Sequence, residues 1–303
     1  MSPSPVAPPR RVVHVARDGT ILQQWVGGVP YYNWAQPEPD EPARVWYNAG
    51  DGWLVLADLD YDTGEWKVLE THDVESLADG LVSHPPGHSA HWRPLTRNGQ
   101  TYLVTEGAPQ VLVHRDGRLE PWLVCGRVGE HLNKYVENVP SRRFFRWRDE
   151  NRDGQPQPEE FAFSNQTLRS SWVDEDFDLL QQRGYRNDAG TTIVDVVRNA
   201  ARWDGDLPDW ETEAAQVIAE VHGRRGACAT NGRGGNIAYK DANGNIYAGY
   251  STRGDELGDV HGDKWPTVWT GSTRLVKWNP DGEYEWSVGR HAIHGGLADP
   301  GAT

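Results

Sequence analysis

The sequence predicts an all-β fold made of repeated hairpin blades, as in a β-propeller, with short helical insertions around residues 170–220. Three observations support this prediction. Helical periodicity is nearly absent, short apolar runs alternate with Asp-Gly and Asn-Gly turns, and tryptophan recurs after those turns. Glycine accepts the positive φ that a tight turn needs, so each turn predicts two antiparallel strands. Repeated hairpins in turn predict blades of about 40–50 residues each.

Three segments share the clearest hairpin, with an apolar strand, an Asp-Gly turn and a second strand that ends in Trp: residues 12–25, 111–122 and 275–286. A related copy spans 53–66, and hairpins without the closing Trp are predicted at 97–104 and 241–248. The closing Trp is interpreted as one large ring per blade that packs between neighbouring sheets. A β-sandwich with the same turns is the alternative, but it would have to carry residues 160–230 as loop.

Helices are predicted only at residues 174–183, which end before Gly184, and at 209–219, which begin at an acidic cap. No Ser/Gly-rich or Pro-rich linker divides the chain, so we expect a single domain over residues 11–303, after a disordered Pro-rich leader at 1–10. Loop-like sequence at both ends favours an incomplete propeller, cut from a longer parent chain.

Composition excludes several classes of partner. The chain of 303 residues has 30 basic and 44 acidic side chains and a formal net charge of −14, which argues against nucleic acid and anionic membrane surfaces. No apolar run approaches the roughly 20 residues of a membrane span. The two cysteines, Cys125 and Cys228, lack the CxxC spacing of a metal or redox site.

The most specific motif is the segment DENRDGQPQPEE at residues 149–160, which matches the calcium-loop pattern D-x-N-x-D-G-x5-E at every position. A Ca²⁺ ion requires six to eight oxygen ligands. Side-chain oxygens are expected from Asp149, Asn151 and Asp153. Gln155 would supply its backbone carbonyl, and Glu160 would bind with both carboxylate oxygens. An acidic surface turn is the alternative interpretation.

The flanking residues distinguish this loop from a paired EF-hand. Residues 143–147 have the pattern of a strand, whereas Pro158 is placed to begin a helical turn. Pro156 has no N–H for the backbone hydrogen bond that paired loops exchange. We therefore expect a single structural Ca²⁺ loop, with an affinity on the order of 10⁻⁵ to 10⁻³ M.

Together with the Asp-Gly hairpins, three segments resemble bacterial NHL/SMP-30-type propellers that carry an EF-hand-like, dockerin-type calcium insertion. They are WRDENRDGQPQPEEF at 147–161, DANGNIYAGY at 241–250 and RLVKWNPDGEYEWSVGRHA at 274–292. The resemblance extends over roughly residues 10–295. That family includes lactonases, lyases and many binding propellers, so the resemblance implies a fold and no particular reaction.

Two loops hold the other candidate ligand-binding residues, which are His88, His91, Asp259, His261 and Trp265. Imidazoles in the first loop could hold Zn²⁺, although its Pro-Pro-Gly sequence prevents a helix that would place two of them on one face. In the second loop, acids beside a histidine could transfer protons, and the Trp ring could support a sugar. Ordinary solvated loops are the alternative for both.

The sequence therefore predicts a binding or scaffolding module with structural Ca²⁺ as its only cofactor. A carbohydrate-active enzyme, a lyase or hydrolase with its site at the channel mouth, is the alternative function, and no catalytic residue is identifiable. The expected partner is a carbohydrate or another protein, without nucleic acid and without membrane insertion. We expect an extracellular or periplasmic location, although the chain shows no signal peptide.

Overall fold

The structure is a computed structural model, and it describes residues 10–27, 35–48, 52–82, 92–105, 109–142, 144–165, 172–186, 192–210, 216–221, 238–251 and 273–289. Within these ranges the regular structure is β-strand, with three short 3₁₀ turns and no α-helix. In the same ranges, none of the helical segments has the length and apolar character needed to cross a bilayer.

The strands pair with their neighbours in chain order. Strands β1 (Arg10–Val15) and β2 (Ile21–Gly27) form a separate hairpin. The next four strands form an antiparallel sheet in sequence order: β3 (Ala35–Pro37), β4 (Arg44–Asn48), β5 (Trp53–Leu59) and β6 (Trp66–Asp73).

A six-stranded antiparallel sheet continues the same meander. Its strands are β7 (Trp92–Arg97), β8 (Gln100–Thr105), β9 (Gln110–Arg115), β10 (Arg118–Arg127), β11 (Phe144–Arg148) and β12 (Phe161–Ser164). Every strand pairs with the one before it, so local hairpins alone build this sheet.

Two further four-stranded sheets follow. The first contains β13 (Trp172–Val173), β14 (Leu179–Arg186), β15 (Thr192–Asn199) and β18 (Gln216–Val221), and between its last two strands stands a hairpin of β16 (Ala201–Asp204) and β17 (Leu207–Trp210). The second contains β19 (Ala238–Lys240), β20 (Ile246–Ser251), β21 (Thr273–Trp278) and β22 (Tyr284–Gly289).

The all-β, propeller-like fold class is confirmed, because four-stranded antiparallel meanders are the unit of a propeller blade. The predicted hairpins are all present. Two of their turns show the reason: φ is positive at both central residues of Asn98-Gly99 (51° and 74°) and of Asp116-Gly117 (50° and 73°). This is the type I′ geometry, whose twist matches that of the flanking strands. Membership of the NHL/SMP-30 type stays a prediction.

Both helix predictions are wrong in the described residues. The segment 174–183 contains a turn followed by β14, which pairs with β15 along its whole length. Asp174 begins that turn: its Oδ1 accepts the N–H groups of Asp176 and Asp178 at 3.0 and 2.8 Å. The segment 209–219 covers the end of β17 and the start of β18, while residues 211–215 lie outside the described ranges. Pairing within a sheet has overridden local helix propensity.

The chain divides into two compact units, Met1–Asn165 and Gln166–Thr303. The first contains β1 to β12 and the second contains β13 to β22. A single domain over 11–303 stays a prediction, and residues 1–9 of the expected leader lie outside the described ranges.

Tryptophan packing differs from the expectation. The closing Trp of the 111–122 hairpin, Trp122, is buried, but Trp66 is 61% exposed and Trp286 is 40% exposed. These two rings lie on β6 and β22, the edge strands of their sheets, where no further described strand pairs beside them. Five other indoles are fully buried: Trp46, Trp92, Trp147, Trp210 and Trp278.

Three of the buried indoles donate their N–H to a specific acceptor. Trp46 Nε1 donates to Glu38 Oε1 at 2.8 Å, and Trp147 Nε1 donates to Glu160 Oε2 at 2.9 Å. Both carboxylates are themselves buried. Trp210 Nε1 donates to a backbone carbonyl at 2.7 Å. An indole N–H buried without an acceptor would cost about 1–3 kcal/mol, so these bonds fix how each ring is placed.

We expect Leu112→Ala to lower the free energy of unfolding by about 2–5 kcal/mol, because this β9 side chain is fully buried in the core and its loss leaves a cavity. The matched control is Leu22→Ala, at a position that is 57% exposed, where the change should stay within about 0.5 kcal/mol. Urea unfolding followed by tryptophan fluorescence measures both. Equal effects at the two positions would contradict the assignment of the core.

Candidate functional site

The predicted calcium loop connects β11 to β12, two strands that pair directly with each other. A strand enters the loop, and a 3₁₀ turn at Pro158–Glu160 leads out of it, as the flanking sequence predicts. The loop is therefore the connection of a β-hairpin, unlike the helix–loop–helix of a paired EF-hand.

Backbone N–H groups hold the side-chain oxygens of the loop in place. Asp149 is buried, and its two carboxylate oxygens accept the N–H groups of Asp153 at 3.1 Å and Gly154 at 2.8 Å. Asn151 Oδ1 also accepts the Asp153 N–H, at 2.9 Å, and Asp153 Oδ1 accepts the Gln155 N–H, at 2.8 Å. Gly154 has a φ of 73°, which permits the reversal that brings these groups together.

Glu160 has a role that the motif does not predict. Its Oε1 accepts the Glu150 N–H at 3.0 Å, and its Oε2 accepts both the Gln157 N–H at 3.1 Å and the Trp147 indole N–H at 2.9 Å. The carboxylate thus ties both ends of the loop to a core ring. To become a bidentate ligand, it would have to exchange some of these hydrogen bonds for bonds to the ion.

The donor set fits a hard cation, because every expected ligand atom is an oxygen. Burial raises the pKa of Asp149, and the nearby charge of Glu160 raises it further. A bound cation would offset this repulsion. Among the described residues, however, these carboxylates do not form a group of three within 4.8 Å of one another, so the loop would have to contract around an ion. The Ca²⁺ site stays a prediction.

The other predicted ligand-binding residues lie outside the described ranges. His88 and His91 fall within 83–91, and Asp259, His261 and Trp265 fall within 252–272. Their convergence at one channel mouth therefore stays a prediction.

The structure brings together a polar cluster that the sequence analysis missed: Glu70, His72 and His114. Glu70 Oε2 lies 2.9 Å from His72 Nε2 and 2.7 Å from His114 Nε2. The only signal in the sequence was the Glu-x-His spacing at 70–72, which places two side chains on one face of a strand. His114 is 44 residues away from Glu70 and could not be connected to it without the fold.

A β-bulge positions the two β6 members of this cluster. Val68 pairs with Ala57 and Glu70 pairs with Leu56, so Leu69 is the extra residue. Leu56 also pairs with Trp46 on its other side. Since residues opposite each other share a face of the sheet, the bulge turns Glu70 to the Trp46 face. Without it, Glu70 would stand on the opposite face.

A second surface is built on the sheet β19–β22. Four residues pair in a lateral row across its strands: Tyr239, Tyr247, Lys277 and Trp286. The ring centroids of Tyr239 and Tyr247 lie 6.0 Å apart, and those of Tyr247 and Trp286 lie 6.2 Å apart. We call these four residues the aromatic row. Ile246 and Trp278 occupy the alternate positions of the same strands and are buried, so the row is the outward face.

Charged side chains lie within the aromatic row and beside it. Lys277 Nζ lies 2.7 Å from Glu285 Oε2 and 6.0 Å from the centre of the Tyr247 ring. The Tyr247 hydroxyl donates to Asp241 Oδ2 at 3.1 Å. Hydrogen bonds from Asn245 hold the pKa of Asp241 below its ordinary value, so this carboxylate is ionised at neutral pH. Two carboxylates and one ammonium give the row a negative balance.

Comparison with known proteins does not assign this chain to a family. No protein-family model matches the chain, and no curated protein matches it. Among solved structures the chain is similar to the β-propeller domain of Cps50 (Swd1) from Myceliophteria thermophila. The TM-score is 0.38 and the identity 9%, over 91% of this chain and 78% of that chain. A likeness this low carries no information on function.

In the metal-free protein, we expect the free energy of unfolding to change with pH because the pKa of Asp149 is raised by folding. The ordinary pKa is 3.8 and the folded pKa is higher, so the unfolded chain releases this proton first as pH rises. Stability is therefore lost from about pH 3.8 upward, through the folded pKa. Asp149→Asn lacks this titration, so its unfolding free energy relative to the parent should rise over the same range.

Urea unfolding at a series of pH values, in chelator, measures that difference. The matched control is Asp62→Asn, which makes the same chemical change at an exposed position outside the loop. A difference for Asp149→Asn that is flat or falls with pH would contradict the interpretation.

Proposed function

We propose that this chain is a binding module, and that a protein partner docks on the aromatic row of the sheet β19–β22. The main support for this proposal is the exposure of the row. Tyr239 and Trp286 are exposed, although the opposite face of their sheet is buried. Tyrosine and tryptophan are enriched in protein interfaces and among the residues that dominate binding energy. A rigid sheet presents them with little entropy left to lose on binding.

Charge supports a basic partner. The row has two adjoining carboxylates, Asp241 and Glu285, against the single ammonium of Lys277. The whole chain has a formal net charge of −14, which would steer a basic surface towards it. The partner that fits best has an apolar centre to cover the rings and Lys or Arg at its rim.

Calcium has a structural role in this proposal. An ion held by Asp149, Asn151, Asp153 and the Gln155 carbonyl would stabilise the β11–β12 connection. Weak binding of this kind suits an extracellular or periplasmic location, which we propose with it. The carbohydrate-active enzyme stays an alternative prediction, since the residues expected for its site lie outside the described ranges.

We expect peptides selected from a displayed random library on the full chain to be rich in basic and aromatic residues. Trp286→Ala should weaken their binding about 30-fold or more, the loss of roughly 2 kcal/mol that is typical of a central interface residue. The matched control is Trp53→Ala, an exposed Trp on a different sheet, which should bind the same peptides as the parent. Fluorescence anisotropy measures the affinities.

A glycan array probed with the same proteins tests the alternative ligand. Glycan binding that Trp286→Ala abolishes, without any peptide binding, would replace the protein partner by a carbohydrate. Peptide binding that is unchanged in Trp286→Ala would contradict the proposed surface.

We expect Ca²⁺ to raise the thermal unfolding midpoint. At about 10 mM Ca²⁺, roughly 10 to 1,000 times the expected dissociation constant, the stabilisation should be about 1.4–4 kcal/mol. Asp153→Ala should remove most of this gain, whereas Asp62→Ala, at an exposed position outside the loop, should retain it. Differential scanning calorimetry with and without chelator measures the shift. An unchanged midpoint of the parent protein would contradict the calcium site.

A further inference from the structure

The cluster of Glu70, His72 and His114 joins two sheets of the first compact unit. Glu70 and His72 stand on β6, the edge strand of its sheet, while His114 stands on β9 within the six-stranded sheet. One atom from each side chain lies within 4.8 Å of the other two, and no other such group of three His, Cys, Asp or Glu residues occurs in the described ranges.

Packing fixes the two rings of the cluster. The centroid of the fully buried Trp46 ring lies 5.8 Å from that of His72, in a stacked arrangement, and 5.1 Å from that of His114, edge to face. Trp46 is itself held by its hydrogen bond to Glu38. Each histidine side chain is only 13% exposed and Glu70 is 25% exposed, so the cluster is sheltered but reachable by an ion.

Within the described ranges, His72 and His114 are the only basic residues within ion-pair distance of the Glu70 carboxylate, and no Lys or Arg lies that close. Metal binding to Glu70 would use its carboxylate form.

We propose that Glu70, His72 and His114 bind a divalent transition-metal ion, for which Zn²⁺ is the best match. Two imidazole nitrogens and one carboxylate oxygen suit Zn²⁺, whereas Ca²⁺ and Mg²⁺ prefer sets of oxygens only. Three protein ligands leave a fourth tetrahedral position for water or for a ligand from outside. This site is separate from the calcium loop, and it does not depend on the proposed function.

Metal binding requires a local rearrangement of the cluster. Zn²⁺ bonds of about 2.0–2.2 Å at near-tetrahedral angles place ligand atoms about 3.3 Å apart. The carboxylate oxygen now lies 2.9 and 2.7 Å from the two Nε2 atoms, so it would have to withdraw from the rings to admit an ion between them. Metal binding uses the Nε2 lone pairs, so both rings then carry their proton on Nδ1.

Gly117 lies beside the other carboxylate oxygen of Glu70. A Cβ built at this glycine would lie 3.6 Å from Glu70 Oε1, and no described residue donates a hydrogen bond to that oxygen. The φ of 73° at Gly117 belongs to the β9–β10 turn, so the turn that follows His114 also lies next to this oxygen.

Calorimetric titration of the full chain with Zn²⁺, after removal of metal and chelator, tests the proposal. We expect a Zn²⁺ site that is weakened at least about tenfold by His72→Ala, by His114→Ala and by Glu70→Gln, because even residues that only support metal ligands typically contribute that much. Glu70→Gln nearly preserves the size of the side chain, so it remains informative if a histidine variant does not fold. Co²⁺ should give visible absorption bands of a tetrahedral site in the parent and not in Glu70→Gln.

Two controls distinguish this site from other histidines. His131→Ala removes an exposed imidazole from the same compact unit and should leave Zn²⁺ affinity unchanged. A variant with His88→Ala and His91→Ala removes two of the three imidazoles of the Pro-rich loop and should retain the site. The proposal is overturned if the parent binds no Zn²⁺, or if the three cluster variants bind Zn²⁺ as tightly as the parent does.

Discussion

The hydrogen bond from a buried indole N–H to a buried carboxylate is the interaction on which both candidate metal sites depend. Trp147 donates to Glu160, and this bond holds the end of the calcium loop against the strand that begins it. Trp46 donates to Glu38, and the ring fixed in this way packs against both histidines of the metal-binding cluster. In each case a large apolar ring fills the core, while its one polar atom requires an acceptor at a defined place.

In the sheet β19–β22, the alternation of side chains along a strand separates a buried face from an exposed face. In the sheet β19–β22, Ile246 and Trp278 face the core, and the neighbouring positions Tyr247 and Lys277 face outward. A partner can therefore bind to one face without disturbing the packing of the other. The edge strand β6 follows the same rule, except that its bulge transfers Glu70 from one face to the other.

Local signals predicted the hairpins because a glycine turn and two apolar strands lie within a dozen residues of each other. Features that depend on contacts between distant segments were predicted wrongly or missed. Residues 174–183 have acids followed by a Leu pair and a terminal Gly, which resembles a capped helix, but pairing of β14 with β15 decides their structure. The Ca²⁺ site stays a prediction that rests on a contiguous motif, whereas the hydrogen bonds of Glu160 required knowledge that Trp147 is buried. The cluster at Glu70 depends on strand register and on a contact across 44 residues, and neither is encoded in a local pattern.

The bulge at Leu69 also affects how copies of this chain meet one another. An edge strand presents unpaired N–H and C=O groups that can template a strand from a second molecule, which is the usual first step of aggregation through sheets. In β6 the extra residue interrupts the regular spacing of these groups midway along the strand, and Lys67 adds a charge beside it. A regular incoming strand could not stay in register past this point. The irregularity that places Glu70 on the Trp46 face would thus also hinder pairing of a second copy along β6, an edge strand within the described ranges.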